Sequence, residues 1–133
     1  MLRLILAVPL IAHGLAHISG FIASWTNNDS GYGRSPWVFS SGIGLQSPVG
    51  RLFGILWLCA AFVLTVSGVG LTMDSAWWQL LAVTGSIISL VVILPWWNTV
   101  PSGAKLGALF DLLILILLLT PLGTTVLDFV AQP

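Results

Sequence analysis

His13 and His17 stand four positions apart in HGLAHISGF, inside an apolar stretch that begins at the first residue, and they are the only histidines in the chain. A third titratable side chain, Asp111, is embedded in GALFDLLILILLL. Two imidazoles one helical turn apart share a helix face. With a carboxylate from a second helix they can pass a proton, since imidazole is the side chain that titrates near neutral pH. They can hold a metal ion as a two-His, one-carboxylate set. They can also hydrogen-bond the polar end of a small molecule in an otherwise apolar pocket. A fourth outcome is structural: interhelical hydrogen bonds in lipid average about 0.6 kcal/mol, enough to fix a bundle's register without any ligand.

The elements that position these groups follow from composition. Of 133 residues 57% are hydrophobic and only 6% charged, whereas a soluble domain carries about a quarter charged residues. At roughly 20 apolar residues per span, the chain accommodates four transmembrane helices, expected at about residues 2–25, 50–72, 76–97 and 103–123. A 26–49 loop separates the first two. The expected fold class is therefore all-α integral membrane, a single-domain antiparallel four-helix bundle, because the later connections are short. Asp74 is expected to cap the third helix, and Pro95 and Pro101 to separate the third from the fourth. Trp25, Trp37, Trp77, Trp78, Trp96 and Trp97 fall where an interfacial aromatic belt would place them. The opening MLRLILAVPL has the charge and apolar run of a secretory signal, but the run continues to Trp25 and reads as a retained span.

At 100° per residue, Pro9, His13, Ala16, His17, Gly20 and Ser24 share an arc of about 100° on the first helix. Small and polar residues mark helix contacts in lipid, so this arc is expected to face protein. The corresponding faces are Gly54, Trp57, Ala61, Thr65 and Gly68 on the second helix, and Ala82, Gly85, Ser86 and Ser89 on the third. On the fourth they are Ala104, Gly107, Ala108 and Asp111. Counting 1.5 Å per residue from the loop side puts His17, Trp57, Ser89 and Asp111 at one level, about 10 to 12 Å deep, and His13 about 6 Å deeper. The expected contact is a hydrogen bond between His17 and Asp111, extended by Ser86 or Ser89 and by His13.

An ionised carboxylate at that depth costs at least about 2.5 kcal/mol unless protonated, hydrated or paired. Two functional classes follow. One is a pocket lined by His13, His17, Trp57, Ser89 and Asp111 that takes a quinone-like or lipid-like molecule and exchanges a proton with it. The other is a non-catalytic accessory or scaffold subunit of a larger membrane complex. A metal ion on His13, His17 and Asp111 is a further candidate cofactor. Haem is disfavoured within one chain, since opposed axial ligands come from two helices, though a homodimer would supply the second.

Four Lys and Arg against four Asp leave no nucleic-acid footprint. The lone Cys59 excludes an internal disulfide and a CxxC relay, and it lies off the inner face as a small filler. Arg34, Arg51 and Lys105 on one side, against Arg3 on the other, lean toward cytoplasmic loops by the positive-inside rule.

LRLILAVPLIAHGLAH resembles the first helix of DoxX-like membrane proteins, in which an Arg precedes an HG pair by ten residues and a basic residue follows three after that Gly. Here these are Arg3, His13, Gly14 and His17. HGLAHISGF, GRLFGILWL, WW and GALFDLLIL together look similar to small bacterial four-helix membrane proteins. The resemblance implies a four-helix bundle in the bacterial inner membrane and, for some members, sulfur- or quinone-linked oxidoreduction within a complex. The chain departs from the pattern in carrying His17 in place of the usual Lys, a longer first loop, and no acidic residue in the second helix.

Overall fold

A computed structural model describes residues 1–33, 36–39 and 42–131. The described residues are helical, without strands. α1 is Leu2–Ala16, α2 Ile18–Trp25, α3 Pro48–Thr72, α4 Trp78–Ile93, α5 Ser102–Leu119 and α6 Leu122–Ala131, with a single 3-10 turn at Leu94–Trp96 following α4. Four stretches are long and apolar enough to cross a membrane: Arg3–Trp25, Pro48–Thr72, Trp78–Trp96 and Ser102–Leu119.

Several boundaries differ from those read off the sequence, each for a local reason. α3 begins two residues early because Ser47 caps it, its hydroxyl accepting from Gly50 N–H at 3.2 Å, with Pro48 in the first turn, where proline's missing N–H costs nothing. Asp74 does not cap the next helix. It sits at φ +56 in the turn, and its carboxylate pairs with Arg3 at 3.0 Å. The fourth span stops at Leu119, because Thr120 is extended, as a residue before proline prefers. Pro121 then opens α6, a helix not anticipated from the sequence.

The first span is also broken, at His17. The His17 ring Nδ1–H donates to the His13 carbonyl at 2.9 Å. That carbonyl is the acceptor an unbroken helix would offer to the His17 backbone, which donates instead to Gly14 O at 3.1 Å. A side chain inserted into the i→i−4 ladder accounts for a local 3-10 tightening.

α3 is the central element, packed on α1, α2 and α4, while α5 packs on α4 and α6. Backbone approach between α1 and α3 depends on Gly14, where a Cβ would stand 2.8 Å from Thr65 N and 3.0 Å from Ala61 O. The core divides into two apolar clusters. One gathers Ala23, Tyr32, Trp57, Val92, Ile93 and Trp96; the other gathers Ala7, Leu10, Leu64, Leu71, Ala82 and Ile114. Between them, in the order of each contributing helix, come His17, Ser86, Ser89 and Asp111, all buried. The polar groups thus form one layer with apolar packing on either side.

Of the expected inner faces of the later helices, Gly54, Trp57, Ala61, Gly68, Ala82, Gly85, Ser86, Ser89, Ala108 and Asp111 are buried, while Thr65, Ala104 and Gly107 are half-buried. On α1 the arc is rotated. His17, Gly20 and Ser24 of the expected arc are buried, but so are Ala7, Leu10 and Gly14, while Pro9 and Ala16 are exposed and His13 is half-buried, so the Pro9–His13–Ala16 stripe lies at the edge of the inner face. The aromatic belt is also smaller than expected. Trp25, Trp37, Trp77 and Trp97 are exposed, but Trp96 is fully enclosed and Trp78 nearly so. Arg51 stacks over Trp25 and Lys105 over Trp97. Cys59 is exposed, as its position off the inner face required. Arg34 lies outside the described residues.

Candidate functional site

Four of the five expected site residues meet in one hydrogen-bonded chain. His13 Nε2 and Asp111 Oδ1 are 2.8 Å apart, Ser89 Oγ donates to Asp111 Oδ2, and His17 Nε2 lies 2.7 Å from Ser89 Oγ. With His17 Nδ1 bonded back to the His13 carbonyl, the chain closes into a ring. The expected direct His17–Asp111 bond is therefore not the one made. His13 touches the carboxylate, and His17 reaches it through Ser89. Ser86, the other candidate extension, is buried with its hydroxyl unpartnered among the described residues.

The depth count failed for His13 because it ignored what faces it. Opposite the ring is Gly107, where a Cβ would lie 2.7 Å from His13 Cε1 and 3.0 Å from Nδ1. The missing side chain lets the imidazole lie flat on α5, one turn from Asp111. Phe110 meets the same ring edge-on at 5.4 Å, and the two imidazoles are themselves perpendicular at 4.7 Å.

Proton accounting defines the electrostatics. A carbonyl only accepts, so His17 Nδ1 carries a hydrogen. A hydroxyl has one hydrogen to give. If Ser89 donates it to an ionised Asp111, Ser89 must accept from His17 Nε2–H, which makes His17 an imidazolium. If Asp111 is protonated at Oδ2, it donates to Ser89, which donates to a neutral His17. The heavy atoms are common to both forms, two protons shift in concert between them, and the net charge is zero in each with His13 neutral. A zero-charge ring is what permits a carboxylate with no exposed surface at this depth.

Beside the ring lies a chamber of about 180 Å³ lined by His13, His17, Ser19, Tyr32, Trp57 and Gly107, among others. Trp57, the fifth expected residue, is thus a wall rather than a member of the hydrogen-bonded chain. Ala16 and Gly103, both exposed, are also part of the lining. His13 Nδ1 has no hydrogen-bond partner among the described residues, although the side chain is only 9% exposed. Tyr32 Oη lies 3.4 Å from Ser19 Oγ, whose own hydrogen goes to Ala16 O at 2.7 Å. Burial pushes the Tyr32 phenol up from its ordinary value, against a smaller opposing effect of the Ser19 hydrogen bond, so it is a lasting donor.

No family model, curated protein or solved structure matches this chain.

The donor set fits a metal only after rearrangement. One ligand atom from each of His13, His17 and Asp111 lies within 4.8 Å of the others, whereas ligands of a tetrahedral site with bonds of about 2.0–2.1 Å stand about 3.3 Å apart. The His17 Nδ1–His13 carbonyl bond is a suitable outer-shell anchor, but binding would draw the ligands together and displace the shared protons. For an organic ligand the volume decides: 180 Å³ is close to the roughly 150 Å³ cavity that holds a benzene. That is room for one substituted ring and too little for a haem macrocycle.

Tyr32, Ser19 and Gly107 were not singled out from the sequence as site residues. Tyr32 had a signal, being the only tyrosine in the chain and set in a connector rich in Gly, Ser and Asn. Gly107, four residues before Asp111, had one in hindsight, as the small residue that admits a partner for the carboxylate.

Proposed function

We propose that the chain is an integral membrane protein of the bacterial inner membrane, an antiparallel four-helix bundle that binds a ring-sized hydroxylated or carbonyl-bearing amphiphile, quinol-like in chemistry, and takes a proton from it. The segment between α2 and α3 covers the mouth in this reading. Gly33 N–H donating to Thr99 O at 2.7 Å and Trp37 Nε1–H to Leu94 O at 2.9 Å support that position. The DoxX-like character of the first helix belongs to the same proposal and agrees with a four-span arrangement.

The observation that carries the reading is the unpartnered Nδ1 of His13 on the wall of a ring-sized chamber, with its Nε2 on Asp111. Nδ1 belongs to a side chain that lines the chamber, where a ligand hydroxyl can donate to it. In the form with Asp111 ionised, the ligand O–H gives its proton to His13 Nδ1 while His13 Nε2–H passes its own to Asp111 Oδ1. The products are a ligand oxyanion, a neutral His13, a neutral Asp111 and the His17 imidazolium already present. Charge balances without a proton leaving the site, and Tyr32 lines the same chamber.

The test uses 4-nitrophenol, a ring-sized phenol whose anion is yellow. Bound to wild type at a pH below its own ionisation it should show the anion's absorption. Asp111→Asn should retain binding but leave the phenol colourless, and His13→Ala should weaken binding about tenfold or more, the scale of one buried charge-assisted hydrogen bond. An unchanged colour in Asp111→Asn would refute the proton transfer, and unchanged affinity in His13→Ala would refute the site.

A further inference from the structure

The polar layer is arranged like the inner and outer shells of a metal centre. Metal-bound imidazoles as a rule give their second nitrogen to a carbonyl, carboxylate or water, and bound carboxylates are themselves hydrogen-bonded. His17 Nδ1–H donates to the His13 carbonyl at 2.9 Å, which directs Nε2 into the layer. Ser89 Oγ donates to Asp111 Oδ2, which leaves Oδ1 facing His13 Nε2 at 2.8 Å. Two imidazoles from the first span and one carboxylate from α5 thus converge, one ligand atom of each lying within 4.8 Å of the others. Both imidazoles line the chamber and Asp111 does not, so an ion held by all three has its remaining position on the chamber side.

From this convergence we infer that His13 Nε2, His17 Nε2 and Asp111 Oδ1 bind one divalent transition-metal ion of the zinc class, with a fourth position open to the chamber. Two imidazoles and a carboxylate suit such ions, whereas Ca²⁺ and Mg²⁺ take oxygen ligands. The movement required is small and falls mainly on one side chain. Ligands of a tetrahedral ion stand about 3.3 Å apart, so His13 and Asp111 part slightly and His17 closes by up to about 1.5 Å from the 4.8 Å limit. Turning about its Nδ1 anchor, His17 gives up Ser89, which stays on Oδ2 as outer-shell support of the carboxylate. The proton count closes as well. Starting from ionised Asp111 and the His17 imidazolium, the His17 Nε2 proton leaves through the chamber, and the His13 proton moves from Nε2 to Nδ1. One proton is released per ion, and the loaded site carries one positive charge, which a hydroxide or another anionic oxygen in the open position neutralises. The ion and the proton relay use the same Nε2 and Oδ1 atoms, so they exclude each other, and metal binding does not depend on the ring-binding reading.

Cobalt(II) serves as the probe, titrated into the full-length protein in detergent after a chelator has stripped it. Wild type should take up one Co²⁺ per chain, read by elemental analysis after dialysis, and develop the intense visible bands of a tetrahedral ion rather than the faint colour of the hydrated octahedral one. Excess Zn²⁺ should erase the bands. Asp111→Asn keeps hydrogen bonds to His13 and Ser89, and with them the fold, but loses the anionic ligand. It should weaken Co²⁺ binding by more than about a hundredfold, beyond the 10–100-fold typical of outer-shell losses, whereas Ser89→Ala should fall within about that range. Cys59→Ala, which removes the one thiol, and Asp29→Asn, at an exposed carboxylate, should leave uptake unchanged. The inference is overturned by an absence of uptake, by uptake without tetrahedral bands, by uptake that survives Asp111→Asn, or by uptake that falls with Cys59→Ala. Binding of 4-nitrophenol is measured on the metal-free protein, so either reading can fail while the other stands.

Discussion

Gly107 offers the sharpest test of how the site is assembled. In Gly107→Ala the new methyl would stand 2.7 Å from His13 Cε1, about 1 Å inside the 3.5–4.0 Å at which carbon atoms rest. The His13 ring is held by Asp111 at 2.8 Å through Nε2, the atom next to that carbon. It can yield only by stretching that bond toward the 3.5 Å limit of hydrogen bonding or by pushing α5 outward. Overpacking of this kind costs about 1–3 kcal/mol, against which alanine regains about 1 kcal/mol of helix propensity over glycine. The net expectation is a loss of about 0–2 kcal/mol in the wild-type background. In His13→Ala the obstruction is gone, and the same substitution should stabilise by about 1 kcal/mol. The double-mutant cycle, read from equilibrium unfolding in mixed detergent micelles, should therefore give a coupling of about 1–3 kcal/mol. A coupling near zero, with Gly107→Ala costing the same in both backgrounds, would refute the claim that this glycine exists to seat His13.

Asp111→Asn should be nearly silent for stability, under about 1 kcal/mol, because the amide can accept from His13 and donate to Ser89; Asp111→Ala should cost about 1–3 kcal/mol for each group left without a partner, as measured by the same unfolding assay. Tyr32 gives a pH dependence with a definite sign: its folded-state value is raised, so its stabilisation is complete below about 10, the free phenol's value, and is lost as pH rises through the folded value. Tyr32→Phe should flatten that alkaline decline, and since the chain has one tyrosine, phenolate absorbance reports the titration of Tyr32 alone. Arg3→Ala should hardly move global stability, because its partner Asp74 is 65% exposed and such pairs are worth about 0–1 kcal/mol. It should, however, speed amide exchange in α6, which loses the Arg3 Nε–H bond to Val130 O at 3.0 Å.

The sequence made the four long apolar helices legible, along with the inner faces of the last three, since small and polar residues recur there at helical spacing. It also brought His17, Trp57, Ser89 and Asp111 to one level, with His13 set one turn deeper. What it misplaced were matters of contact. The His17–Asp111 pairing assumed that depth alone selects partners, whereas the vacancy at Gly107 chose His13 instead and left Ser89 to bridge. The face of α1 was rotated because Pro9 and Ala16, small enough to suggest packing, border a seam that α5 does not close. Trp96 was assigned to an interfacial belt by its position near a helix end, yet Phe39, Phe53 and Trp57 surround it; an end residue of one helix can be the middle of a cluster built by its neighbours and a connector. α6 was missed because its apolar run reads as a continuation of α5 unless Thr120 and Pro121 are given the weight of a break.

The bond from His17 Nδ1 to the His13 carbonyl gives the first span an adjustable length. A 3-10 residue rises about 2.0 Å and an α residue about 1.5 Å, so the ring holds the segment stretched as long as it occupies that carbonyl. The side chain that reaches Asp111 through Ser89 thus also sets the local rise of its own helix.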